Sequence, residues 1–121
     1  GRLPIHVNQE NPMCVGSRGG IDLRMKLLPE KLKPAGYATA LVGKWHLGAR
    51  SHLNLPANRG FDSHFGFLTG AERHYTQEAL NCPESPFDLW RDHGPARGET
   101  GHYSCELFGS EAVRVVREHD S

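Results

Sequence analysis

A chain of 121 residues is long enough for one small domain, and its 14 basic residues balance 14 acidic ones at zero formal charge. That balance argues against a general nucleic-acid binder or a polybasic membrane binder, and no apolar run approaches the length of a transmembrane helix. Only 37% of residues are hydrophobic, while 14 glycines and eight prolines call for many turns, so the chain reads as a slice of a larger enzyme-like fold.

Residues 1–26 read as irregular, with "GSRGGIDLR" a glycine-rich, charged surface loop. The opening "GRLPIHVNQENP" has neither a charged n-region nor an apolar h-region, so no signal peptide is visible in it. "LLPEKLKPAGY" predicts a helix of about two turns. Pro29 suits its first turn, Leu28 and Leu32 share a face, Pro34 distorts its end and Gly36 caps it in a left-handed conformation. "YATALV" then predicts a short strand, and its continuous apolarity predicts burial on both faces, as in a parallel sheet.

Helix, tight turn and strand make the αβ half of a βαβ unit, and ligands of open α/β sheets bind beyond the carboxyl ends of the strands. "GKWH" at 43–46 stands there. In an extended loop Lys44 and His46 would point the same way, a cation and an imidazole aimed at one phosphate, sulfate or carboxylate group. Such a pair also suits protonation of a leaving group. Trp45 between them is expected to pack beneath the loop and fix it.

Downstream, "LPANRGFDSHFGFLTGAERHYTQ" predicts a structured loop with a short strand or turn at Phe65 to Leu68, its Arg-Gly-Phe-Asp turn held by Arg59–Asp62 or Asp62–backbone contacts. His64, Glu72, Arg73 and His74 are expected to be solvated, with His74 the weaker candidate for a substrate contact. A short hairpin is expected around Phe87 to Trp90. "SCELFGSEAVRVVREH" predicts a helix N-capped by Ser104, with a core stripe of Phe108, Ala112, Val115 and Val116 and an Arg114–Glu118 pair opposite. Eight histidines show no zinc-ligand spacing, and Cys14, Cys82 and Cys105 form no C-x-x-C pair. An odd count leaves at least one thiol free, or paired elsewhere.

The string "GYATALVGKWHLG" at 36–48 closely resembles the second signature of the sulfatase family. "LLPEKLKPAGY" and "LPANRGFDSHFGFLTG" are similar to the segments flanking that signature. "YTQ…FDLWRD…YSCELFGSEAVRVV" is similar to the next portion of arylsulfatase B-like enzymes, and "GRLPIH" to the tail of the first signature. The resemblance spans nearly the whole chain, so residues 1–121 are expected to be part of an N-terminal catalytic domain of alkaline-phosphatase-like architecture, a mostly parallel sheet flanked by helices. It implies a sulfuric ester hydrolase in which Lys44 contacts the sulfate and His46 binds and orients it. The family's formylglycine, made from Cys or Ser in a C/S-x-P-S-R element, and its calcium ligands are expected outside these residues. "CVGSRGG" at Cys14 has Ser17-Arg18 but lacks the proline, so Cys14 is not expected to be the nucleophile. The implied partner is a small-molecule or carbohydrate sulfate ester, and the implied residence is lysosomal or extracellular. Two alternatives remain at this point: a phosphodiesterase or phosphonate hydrolase of the same superfamily, and a catalytically inactive structural or ligand-binding truncation product.

Overall fold

The computed structural model describes residues 3–6, 14, 20–80, 82–84 and 86–119. Six elements frame them: α1 (Leu28–Leu32), β1 (Ala40–Val42), β2 (Ser63–Phe67), β3 (Leu89–Arg91), β4 (Gly94–Pro95) and α2 (Ser104–Arg117). They make an α/β fold around one sheet of order β1-β2-β3-β4. β1 and β2 run parallel, while β2–β3 and β3–β4 are antiparallel. Within these residues the sheet is therefore mixed, with the expected parallel pairing confined to β1–β2. The hairpin expected around Phe87 to Trp90 is β3–β4, shifted two residues on.

α1 ends as expected. Pro34 breaks the α-helical ladder, the last turn tightens to a 3-10 turn over Lys33–Ala35, and Gly36 closes it at φ 85°. At its start the Glu30 carboxylate accepts the Leu27 N–H at 2.6 Å. Arg59, 3% exposed, donates to the Met25 carbonyl at 2.6 Å and lies 3.4 Å from Glu30. Asp62 instead accepts from the Thr39 N–H and hydroxyl, at 2.9 and 3.1 Å, and from Lys33. The Arg-Gly-Phe-Asp turn is thus held by Asp62–backbone contact, as one alternative had it, but Arg59 and Asp62 do not pair. Arg59 staples the turn to α1, and Asp62 staples it to the residues entering β1.

β1 is shorter than its apolar run. Ala40 is exposed and Leu41 and Val42 are half-buried, so burial on both faces is not what these residues show. Among the described residues β1 has β2 as its one neighbour and α2 packs over it. The buried centre lies at the carboxyl end of the sheet, where Trp45, Leu55 and Leu68 pack with Leu27, Leu41, Leu47, Phe61 and Trp90 around them.

α2 corrects two expectations. Its N-cap is Tyr103, and Ser104 is the first helical residue. The Ser104 hydroxyl donates back to the His74 carbonyl at 3.0 Å instead of capping the helix. The inward stripe is Ser104 and Glu111, which are buried, with half-buried Phe108 and Val115. Phe108 meets Phe65 at 5.9 Å and Phe67 at 6.1 Å, whereas Val116 is 75% exposed and Ala112 is exposed. Rotating the stripe brings Glu111 inward, where Arg91 and Arg114 grip it at 2.8 and 2.7 Å. That bidentate pairing lowers the Glu111 carboxyl to about 2. Arg114 also pairs with Glu118, as the spacing predicts.

Cys14 and Cys82 form a disulfide across 68 residues, and Cys105 is an exposed free thiol. The Cys14 sulfur is thereby held in a disulfide and is not a free thiol.

Candidate functional site

The turn that follows β1 is built by continuing the strand pairing. The Gly43 N–H donates to the Phe65 carbonyl at 2.9 Å and the Trp45 N–H to the Phe67 carbonyl at 2.8 Å. Alternate residues of an extended strand face opposite sides, so Trp45 turns inward and Lys44 outward. Trp45 is 6% exposed and Lys44 is exposed. The indole N–H donates to the carbonyls of Gly48 and Asn54, at 2.9 and 3.1 Å, and the ring meets Phe61 edge-on at 6.1 Å. This is the packing role expected of Trp45.

At His46 the alternation breaks. The residue takes φ 50°, a left-handed conformation that side chains rarely adopt, and its N–H donates to the Leu68 carbonyl at 3.1 Å. Backbone held this way costs on the order of 1–3 kcal/mol and persists only where the surroundings fix it. The fixing is two-sided. Residues 67 and 68 hold one flank, and on the other the Ile21 N–H donates to the Leu47 carbonyl at 3.0 Å while Gly20 packs against Gly48. The simple rule that residues two apart share a side therefore does not describe Lys44 and His46. Their proximity is electrostatic: burial first, and the Lys44 charge second, push the His46 imidazole below its ordinary value. Both effects favour the neutral ring, in which one ring nitrogen can donate and one accept.

Gly66 decides how closely the two strands approach here. A Cβ on it would fall 1.8 Å from the Gly43 carbonyl oxygen. His64, on the same strand, is 1% exposed, and neither ring nitrogen closes a well-formed hydrogen bond. Burial holds its imidazole down to about 4, although the Asp92 charge and the Gly43 carbonyl both favour the proton. His64 is thus a neutral core residue and not the solvated loop residue expected.

Because β1 and β2 are parallel, the loop leaving β2 emerges at the same end of the sheet as the Lys44–His46 turn. It carries a polar cluster that the sequence did not announce. Asp88, fully buried, accepts from the Leu68 and Thr69 N–H groups at 3.1 Å each and from the Thr69 hydroxyl. Burial outweighs those bonds and raises its carboxyl to about 6. Gln77 is fully buried at φ 54° and donates through its side-chain amide to the His74 and His102 carbonyls, at 3.2 and 2.9 Å. Glu72 is 3% exposed, raised chiefly by burial, and neither of its carboxylate oxygens closes a well-formed hydrogen bond.

Its expected solvation is therefore wrong as well. Glu72 pairs across to Ala79 and faces inward, with the His74 Nδ1 at 3.7 Å. His74 is about half exposed, 47%, edge-on to Tyr103, and Tyr75 stacks on Tyr103 at 5.3 Å. Arg73 is solvated as expected and lies 3.8 Å from Glu78. Short-range pattern could not have found Asp88 or Gln77, since a polar residue between apolar ones reads equally well as solvent-facing.

Among the described residues no three His, Cys, Asp or Glu side chains gather to hold a metal ion. No helix among them is long and apolar enough to cross a membrane.

Comparison with known proteins agrees with the signature. The family model described as Sulfatase matches residues 1–121. Mouse arylsulfatase J is 37% identical over 99% of this chain, which corresponds to 21% of that protein. Human N-acetylgalactosamine-6-sulfatase is 43% identical over 58% of this chain and 11% of its own length. The crystal structure of Ps i-CgsB superposes with a TM-score of 0.77 at 26% identity, covering 97% of this chain and 28% of that one. The chain thus spans about a fifth or less of the length of the curated relatives named here. With its signature turn seated at the carboxyl end of two parallel strands and a family match along its full length, the chain belongs to the sulfatase family.

Proposed function

We propose that the protein carrying this chain hydrolyses sulfate esters, converting R–O–SO₃⁻ and water to R–OH and sulfate, and that Lys44 and His46 hold the sulfate group. The observation that carries the reading is the exposed Lys44 ammonium next to a left-handed, half-buried His46 at the carboxyl end of β1 and β2. A sulfate monoester carries one negative charge over three oxygens. Lys44 supplies a point charge with three donors, and the neutral His46 ring supplies one directed N–H. As charge shifts onto the oxygen atoms during S–O cleavage, donors already fixed in place stabilise it without reorganising.

The nucleophile and the metal belong, on this reading, to other segments of the protein, as formylglycine and calcium. They would supply the attack on sulfur and further neutralisation of its oxygens. The residues described here bind and orient. His74, half exposed on the loop from β2, is the further contact we assign to the alcohol portion of the substrate. A carbohydrate sulfate is the class favoured, because a relative is an N-acetylgalactosamine-6-sulfatase and a similar solved structure is a complex with a neocarrahexaose. The Cys14–Cys82 disulfide supports a lysosomal or extracellular residence, since such bonds persist in oxidising compartments.

The test is turnover by the intact enzyme of nitrophenyl sulfate against bis-nitrophenyl phosphate. Preference for the sulfate is expected; preference for the phosphodiester, or no sulfatase turnover, would overturn the reading.

A further inference from the structure

Resting on that reading, we propose that Asp88 is the positioning residue that locks the Lys44–His46 turn and the 72–77 loop into one arrangement for sulfate recognition. A carboxylate with no exposed surface is expensive to bury unless it is paired or hydrogen-bonded. Asp88 has none among its hydrogen-bond partners. It accepts instead from the Leu68 N–H, the Thr69 N–H and the Thr69 hydroxyl.

Those bonds fix the two peptide units on which the turn hangs. The Leu68 carbonyl accepts the His46 N–H at 3.1 Å, and the Phe67 carbonyl accepts that of Trp45 at 2.8 Å. On its backbone side Asp88 does the same for the second loop. Its N–H donates to the Gln77 carbonyl at 2.7 Å. Gln77 in turn holds the His74 carbonyl, which also accepts the Ser104 N–H at 2.9 Å and the Ser104 hydroxyl at 3.0 Å.

Among the described residues, His46 and Gln77 are two of the four non-glycine residues with positive φ, and both are tied to Asp88 through at most one intervening residue. Strained backbone of this kind needs over-determined surroundings to persist. Asp88 provides them for both loops at once. It touches no substrate itself and acts through the residues it holds.

The experiment uses the intact enzyme with inorganic sulfate as a competitive inhibitor. Asp88→Asn keeps the shape but turns an NH₂ toward a backbone N–H that needs an acceptor. Its sulfate inhibition constant should rise about tenfold and its kcat/KM fall about a hundredfold, the cost typical of misplacing reacting groups by an ångström. Thr69→Val removes only the hydroxyl and should raise the sulfate inhibition constant several-fold, while Thr69→Ser should restore it. A folded Asp88→Asn enzyme with wild-type sulfate inhibition and kcat/KM overturns the proposal. If that variant does not fold, Thr69→Val decides: wild-type behaviour, or impairment shared equally by Thr69→Ser, overturns it. A wild-type enzyme inactive on every sulfate ester would instead remove the functional reading, and this proposal with it. An active wild type with indifferent variants removes the positioning role alone.

Discussion

The Lys44–His46 turn and the Asp88–Gln77 cluster lie at the same end of the sheet and solve opposite problems. The turn puts charge outward on a backbone whose underside is apolar: Trp45 packs with Leu55 and Leu68 while Lys44 stays exposed. The cluster puts polar groups inward, with Asp88, Gln77 and Thr69 at 0 to 1% exposure, and satisfies backbone donors (through Asp88) and acceptors (through Gln77) that two irregular loops would otherwise leave unpaired. A site that binds an anion needs both. The charged side chain must reach the ligand, and the loops that carry it must not relax when the ligand leaves.

The sharpest break in this arrangement is Gly66→Ala. The added methyl would sit 1.8 Å from the Gly43 carbonyl oxygen and 2.7 Å from the Gly43 nitrogen, backbone atoms that cannot rotate away. Destabilisation of at least about 3 kcal/mol is expected. Thermal melting of the intact variant checks it, and a wild-type midpoint would contradict the close approach of β1 and β2.

Lys44→Ala separates binding from architecture. Its side chain is exposed, so stability should stay within roughly 0.5 kcal/mol. Activity on nitrophenyl sulfate should fall about 10²–10³-fold, as when a fixed donor to developing charge is lost. Equal losses of stability and activity would place Lys44 with the structural residues instead.

His64 sharpens the comparison through pH. Its folded imidazole titrates near 4, against 6.5 when unexposed to the fold. The unfolded chain therefore takes up the proton first, so stability is present above pH 6.5 and lost as pH falls through 4, by up to roughly 3 kcal/mol. Asp88 runs the other way. With its carboxyl raised from 3.8 to about 6, its contribution is full below pH 3.8 and lost as pH rises through 6. Between pH 4 and 6 the two slopes oppose. Chemical denaturation of His64→Leu across that window should show stability falling with rising pH more steeply than in wild type; parallel curves would mean that His64 is not buried neutral.

A gentler probe is sulfate inhibition against pH. Burial and Lys44 lower the His46 imidazole, and a bound anion favours its proton, so sulfate should bind more tightly as pH falls. A flat profile would detach His46 from the anion. The smallest effect is expected from Glu118→Ala, which removes one exposed end of the pair with Arg114 and should cost about 0.3–0.5 kcal/mol in a denaturation experiment.

Sequence alone determined the local features whose causes are local. Gly36 closes α1, Pro34 breaks it, a strand ends at Gly43, and "GKWHLG" marks the family, because turn chemistry and a contiguous signature are written in neighbouring residues. It also placed Trp45 beneath the loop. Tertiary structure alone decided which polar residues are inside. His64 and Glu72 read as solvated and are buried, Asp88 and Gln77 carry no local mark of the bonds they make, and α2 turns Glu111 inward where Val116 was expected. Three of those outcomes depend on partners 20 or more residues away: Leu68 for Asp88, Arg91 for Glu111, His102 for Gln77. Periodicity reports how apolar a position is, whereas the burial of Asp88, Glu111 and Gln77 is set by distant donors and acceptors that arrive to meet them.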